Sequence, residues 1–154
     1  MNEHFLYPGT LLADRSPYAI TTVLGSCISV CLWDMQLKCG GMNHYLLPLW
    51  NGEGLASPKY GNIAIIKLIE KVVSFGCNRR NIQAKVFGGA AIMQNSSGLL
   101  NVGERNIMIA QDLLAEEKIM IAGSDIGGNQ GRKIIFNTET GVVLVKKVQK
   151  TTSG

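Results

Sequence analysis

Two apolar segments separated by a short polar patch constrain the folding of this chain more than any other feature. The side chains of residues 28–33 alternate in the way typical of a β-strand, and residues 39–47 form the second apolar segment. This pattern predicts an antiparallel β-hairpin. With residues 35–36 at the tip, the register would place Cys27 directly opposite His44, on one face of two neighbouring strands.

A thiol and an imidazole in that arrangement could support nucleophilic catalysis. Opposite side chains on antiparallel strands have Cβ atoms about 4.5–5.5 Å apart. Cysteine attacks as its thiolate, and a neighbouring histidine can take the proton and later protonate the leaving group. Cys27 and His44 are therefore the candidate catalytic pair. Gly25 and Ser26 precede the cysteine, and their backbone amides, or that of Cys27, could bind an oxyanion.

The second nitrogen of the imidazole needs an acceptor that fixes its tautomer and direction. Thr21 and Thr22 lie just before the turn at Gly25, and either hydroxyl could serve. The spacing alone does not choose between them.

Two other interpretations of these residues compete with catalysis. Cys27, Cys31, Cys39 and His44 could bind zinc, but they lack the closely spaced cysteine pairs at both ends that structural zinc sites usually show. In the predicted register, Cys39 also points away from Cys27 and Cys31. Cysteines are often small buried hydrophobic residues, which is the expectation for Cys31, Cys39 and Cys77. His44 could equally be a buried strand histidine without catalytic function.

Composition favours a compact soluble protein. The 154 residues are 46% hydrophobic and 17% charged, which fits one domain (residues 1–154) with an ordered core at about residues 5–148. The net charge of +4 comes without a dense basic cluster, so nucleic-acid binding is disfavoured. We find no membrane-spanning run, signal pattern or C-x-x-C motif, so we expect a cytoplasmic monomer with reduced thiols and no cofactor.

The remaining segments predict a mixed α/β domain in which strands outnumber helices. Apolar residues of period 3.6 predict one helix between a cap at Asn62 and a stop at Gly76, and a second helix at about residues 102–117. Arg105 and Asn106, near the start of that second helix, could bond loop carbonyls. Strands are predicted at residues 5–24, in short pieces, and at residues 83–87, 119–121, 133–136 and 142–148.

Paired glycines at residues 88–89 and 127–128 suggest nucleotide-binding loops, but neither pair has the lysine of a P-loop. We therefore expect tight turns beneath the candidate site rather than phosphate cradles. We also expect fraying after residue 149.

Six blocks, in order, resemble the chemoreceptor glutamine deamidase family, CheD. They cover nearly everything from residue 5 to residue 148. The blocks are LGSC at 24–27, GMNHYLLP at 41–48, YG at 60–61, KVFGGA at 85–90, GERN at 103–106, and DIGG at 125–128 with GR at 131–132.

This resemblance implies a cysteine hydrolase that converts chemoreceptor glutamines to glutamate through a thioester and releases ammonia. It maps the family's catalytic cysteine, histidine and threonine onto Cys27, His44 and Thr21. It also implies a β-sandwich-like core of mixed sheets flanked by two to three helices, similar to deamidating toxins of the cytotoxic necrotizing factor type. Implied partners are the receptor's cytoplasmic helical domain and a CheC-type phosphatase. Alternatives are a non-catalytic regulator of that phosphatase and a receptor methylesterase.

Overall fold

The computed structural model describes residues 1–91 and 101–148, in which the chain forms strands and helices in a mixed order. The strands are β1 Asn2–Phe5, β2 Leu11–Asp14, β3 Tyr18–Leu24, β4 Ile28–Asp34, β5 Cys39–Asn43, β6 Ile82–Gly88, β7 Met120–Ile126, β8 Arg132–Asn137 and β9 Val143–Lys147. The helices are α1 Gly61–Ser74 and α2 Val102–Glu116, and a short 3₁₀ turn precedes β6. The fraying expected after residue 149 lies outside the described residues.

The strands form two mixed sheets. The first sheet has four strands in the order β1-β3-β8-β9, and the second has five in the order β2-β5-β4-β6-β7. Strand β1 runs parallel to β3 and β7 runs parallel to β6, whereas the other neighbours are antiparallel.

Two hydrophobic clusters hold the layers together. The first lies between the sheets and contains buried residues from both of them: Leu6, Ile20, Leu24, Cys31, Met42, Phe87, Ile134 and Phe136. The second lies between the opposite face of the second sheet and the two helices. The expected mixed α/β fold with a sandwich-like core is confirmed, with two helices in the described part of the chain.

The hairpin forms, but its predicted register is wrong by two residues. Strands β4 and β5 are joined through a longer loop, closed by a hydrogen bond from the Lys38 amide to the Asp34 carbonyl (2.8 Å). Beyond the end of β5, Tyr45 pairs with Ile28 of β4, and the two residues exchange backbone hydrogen bonds of 3.1 and 3.0 Å. Because side chains alternate with period two, this shift keeps Cys27 and His44 on the same face. In this register the two residues are diagonal neighbours across the strands rather than directly opposite.

Both helices lie where the apolar periodicity predicts them, but the first begins differently. Tyr60, not Asn62, is the N-cap residue of α1. The Asn62 side chain instead accepts a hydrogen bond from the Trp50 amide (2.9 Å), which fixes the preceding loop. Gly76 follows the helix with a φ of 112°, as expected of a glycine stop. In the described residues, neither helix is long and apolar enough to span a membrane.

Candidate active site

Cys27 lies half-buried on the turn between β3 and β4, and hydrogen bonds fix the backbone on both sides of it. The carbonyl of Gly25 accepts from the Ala90 amide (3.0 Å), and the carbonyl of Cys27 accepts from the Gly89 amide (2.9 Å). The turn that carries the thiol is therefore attached to the segment after β6, as the glycine pair at 88–89 predicts.

Gly88 allows this close contact. A Cβ atom at Gly88 would lie 2.1 Å from the Cys27 carbonyl oxygen, and its φ of +108° is one that other residues rarely adopt. A side chain at this position would therefore displace the turn that carries Cys27.

The amides of Ser26 and Cys27 have no oxygen or nitrogen acceptor among residues 1–91 and 101–148. The next amide, that of Ile28, donates to Tyr45. Two adjacent N–H groups beside a cysteine, without such an acceptor in the described ranges, are the arrangement expected of an oxyanion site.

His44 is buried, and a threonine hydroxyl fixes its orientation. Thr22 Oγ1 lies 2.8 Å from His44 Nδ1 and also donates to the Leu6 carbonyl (2.7 Å). A carbonyl oxygen can only accept, so the single hydroxyl proton of Thr22 goes to Leu6. Thr22 therefore accepts from Nδ1–H, and the neutral ring is left with its lone pair on Nε2.

The hydroxyl that contacts His44 is that of Thr22, whereas the family resemblance maps the catalytic threonine onto Thr21. Strand β3 alternates, so Ile20, Thr22 and Leu24 face the inter-sheet core. Thr21 points to the opposite face of the first sheet, where it lines a groove with Phe5. Thr21 and His44 are not brought together.

Burial shifts the pKa values of both candidate catalytic groups toward the neutral forms. Burial lowers the pKa of His44 from 6.5 to about 4. It raises the pKa of the Cys27 thiol, although the residue's own backbone N–H partly offsets the effect. At neutral pH the resting pair is thus thiol and imidazole, rather than a preformed thiolate–imidazolium ion pair.

Asn106 of α2 connects the two halves of the site. Its Nδ2 donates to the carbonyls of Ser26 (3.0 Å) and Leu46 (2.9 Å). The expectation that Asn106 binds loop carbonyls is confirmed. Its neighbour Arg105 instead lies exposed on a groove of about 320 Å³ beside Pro48.

Arg132 is a second structural element of the site, one that sequence reasoning missed. Its buried guanidinium donates to the carbonyls of Gly88 and Gly127, each at 2.6 Å, and lies 3.5 Å from Asp125. It thereby joins the two glycine turns that support the Cys27 segment. The GR pair of the family pattern was the signal available, but nothing local indicated that the arginine would be buried.

The remaining cysteines are buried, as expected. Cys31 belongs to the inter-sheet cluster, whereas Cys39 and Cys77 lie on the helix side with sulfurs 3.7 Å apart. In the part of the chain that the structure describes, no three His, Cys, Asp or Glu side chains are grouped as metal ligands.

These features define the class of protein. It is a mixed α/β sandwich in which a cysteine and a buried histidine lie on the face of the second sheet that packs against the first. The family model described as CheD chemotactic sensory transduction matches residues 46–147. A protein of Trichlorobacter lovleyi named "Probable chemoreceptor glutamine deamidase CheD" is 52% identical over 94% of this chain and 90% of its own. Proteins with the same name from Sulfurimonas denitrificans (52%, covering 97% and 96%) and Vibrio cholerae (38%, covering 92% and 64%) also match. The chain belongs to the CheD family.

Proposed function

We propose that this protein is a glutamine deamidase that hydrolyses side-chain amides of chemoreceptors, with Cys27 as nucleophile and His44 as general base and acid. The names of its relatives support the substrate class. The observation that carries the catalytic assignment is the Thr22 contact, because it places the ring proton of His44 on Nδ1 and so leaves the basic lone pair on Nε2.

The first half-reaction forms a thioester. His44 Nε2 takes the thiol proton as Cys27 Sγ attacks the carboxamide carbon of a glutamine, and the amides of Ser26 and Cys27 stabilise the oxyanion. Proton transfer from the thiol to His44 during the attack suits this pair, because both groups are neutral in the resting site. The imidazolium then gives its proton to the departing amine, and the C–N bond breaks to release ammonia.

The second half-reaction restores the enzyme. Neutral His44 removes a proton from water, which attacks the thioester carbon. The C–S bond breaks, the proton returns to sulfur, and glutamate is left on the substrate. Each modified site gains one negative charge. The half-exposed position of Cys27 suits a substrate side chain presented by a large folded partner, the receptor's cytoplasmic helical domain.

Within this mechanism Thr22 is the positioning residue of His44. The family resemblance assigns that role to Thr21, which faces the other side of the first sheet. The hydrogen bond of 2.8 Å supports Thr22.

Replacing the nucleophile tests the proposal. Cys27→Ala should abolish ammonia release and the one-dalton mass gain on a receptor cytoplasmic fragment, while the protein keeps its fold. Cys31→Ala is the matched control, since Cys31 lies on the same strand face but is buried, and it should retain turnover. Retained activity in Cys27→Ala would refute the assignment.

A further inference from the structure

We propose that Asn106 is a positioning residue that orients the oxyanion-binding amide of Cys27 by holding the Ser26 carbonyl. The inference rests on the proposed function, because it assigns a task in the same reaction. Asn106 acts through the peptide unit between Ser26 and Cys27 and not by direct contact with the reacting atoms.

Asn106 bonds the chain on both sides of the candidate site. A carboxamide nitrogen carries two hydrogens, and here they go to Ser26 and Leu46, at 3.0 and 2.9 Å. The backbone carbonyl of Asn106 accepts a hydrogen bond from the Tyr45 hydroxyl at 2.6 Å. One fully buried residue of α2 thus holds the segment just before Cys27 and the segment just after His44.

The peptide unit between Ser26 and Cys27 transmits this contact to the Cys27 N–H. In a planar trans peptide the C=O and N–H bonds point in opposite directions, and the described residues contain no cis peptide bond. Because Asn106 draws the Ser26 carbonyl toward α2, the Cys27 N–H must point away from α2. The same N–H lies close enough to the Cys27 sulfur to influence the thiol pKa. A donor held in that direction is available to the oxyanion that forms on the substrate carbon when the sulfur attacks it.

Asn106 Oδ1 is buried and has no hydrogen-bond partner among the described residues. An unsatisfied buried acceptor costs stability, and an exception of this kind calls for an explanation. This cost is explained if the two N–H donors of Asn106 are needed to hold the Ser26 carbonyl and so to orient the Cys27 amide.

Two reagents separate this role from simple structural support. p-Nitrophenyl acetate acylates Cys27 through a tetrahedral oxyanion, whereas iodoacetamide alkylates it by displacement without one. We expect Asn106→Leu to lower the ratio of acylation to alkylation rate at least about tenfold. On a receptor fragment it should lower kcat and leave KM within about twofold.

The control is Asn101→Ala, which removes the N-cap of the same helix. Asn101 accepts from the Glu104 amide, and its loss weakens α2 without touching Ser26 or Leu46. It should leave the rate ratio unchanged. If Asn106→Leu does not fold, Asn106→Ser keeps one donor and should give an intermediate ratio.

An unchanged ratio in the folded Asn106 variants would overturn the inference, as would an equal fall in Asn101→Ala. Failure of the proposed function has a different signature. In that case wild-type Cys27 would be acylated no faster than a free thiol, and receptor fragments would release no ammonia, whatever residue stands at position 106.

Discussion

At the scale of single residues, the site depends on which nitrogen of His44 carries the proton. The Thr22 hydroxyl decides this, because its own proton is already committed to the Leu6 carbonyl. The tautomer then follows from counting donors and acceptors. No charged residue is required to orient the ring.

The two threonines of β3 can be distinguished by turnover. Thr22→Val keeps the shape of the side chain but removes the acceptor for Nδ1–H, so we expect kcat on a receptor fragment to fall about tenfold to a hundredfold. Thr21→Val, on the opposite face, should change kcat by less than about twofold. A larger effect at Thr21 would favour the assignment made from the family resemblance.

The protonation state of the resting site can be tested by alkylation. Because burial raises the pKa of Cys27, the thiolate fraction at neutral pH should be small. The rate with iodoacetamide should therefore rise about tenfold per pH unit between pH 7 and pH 8.5. Cys27→Ala protein gives the background from the three buried cysteines. A rate that is constant with pH would instead show a preformed thiolate–imidazolium pair.

At the scale of elements, the turn between β3 and β4 carries the nucleophile, and the end of β6 and the start of β8 hold that turn in place. The Cys27 carbonyl packs against Gly88 at the end of β6, where a side chain has no room. Arg132, at the start of β8, holds the Gly88 carbonyl from the other side. The turn is thus fixed by contacts from both sheets.

A pair of glycine substitutions tests this packing. Gly88 and Gly127 both have positive φ values, of 108° and 79°, but an added Cβ meets nothing within 4 Å at Gly127. Gly127→Ala should lose about 1–2 kcal/mol of unfolding free energy from backbone strain alone. Gly88→Ala should lose about 2 kcal/mol more and also lose deamidase turnover, because it displaces Cys27. Urea unfolding and an ammonia assay measure the two effects, and equal losses would contradict the packing argument.

At the scale of the whole molecule, the site lies where three layers meet. The first sheet contributes Thr22, and the helical layer contributes Asn106. Cys27 lies on the turn that enters the second sheet, and His44 directly follows β5 of that sheet. Burial of His44 between the layers links the site to the stability of the fold.

That link predicts how stability depends on pH. The pKa of His44 is 6.5 when unfolded and about 4 when folded, so the unfolded state binds the proton first as the pH falls. The contribution of His44 to the free energy of unfolding is fully present above about pH 6.5, and it declines as the pH falls toward about 4. Between pH 7.5 and pH 5 the wild type should lose about 2 kcal/mol more than His44→Asn in urea unfolding. Parallel losses in the two proteins would show that His44 is not buried as a neutral ring.

Much of this fold follows from local patterns in the sequence. Apolar periodicity locates α1 and α2 to within a residue or two, because helix burial repeats every 3.6 residues. Alternation and turn residues locate the hairpin of β8 and β9 and the strand before the glycine pair. The hairpin register was missed because the loop between β4 and β5 is longer than the tightest turn, and loop length sets register.

Local sequence patterns were enough to identify the candidate nucleophile and base, since period-two alternation puts Cys27 and His44 on one face in either register. The choice between Thr21 and Thr22 required the packing of the two sheets. Both faces of β3 carry apolar neighbours, Ala19 and Val23 on one and Ile20 and Leu24 on the other, so alternation alone could not show which face meets the second sheet. The contact of Asn106 with two distant carbonyls was likewise decided by packing between layers, because it joins residues 60 and 80 positions apart in the chain.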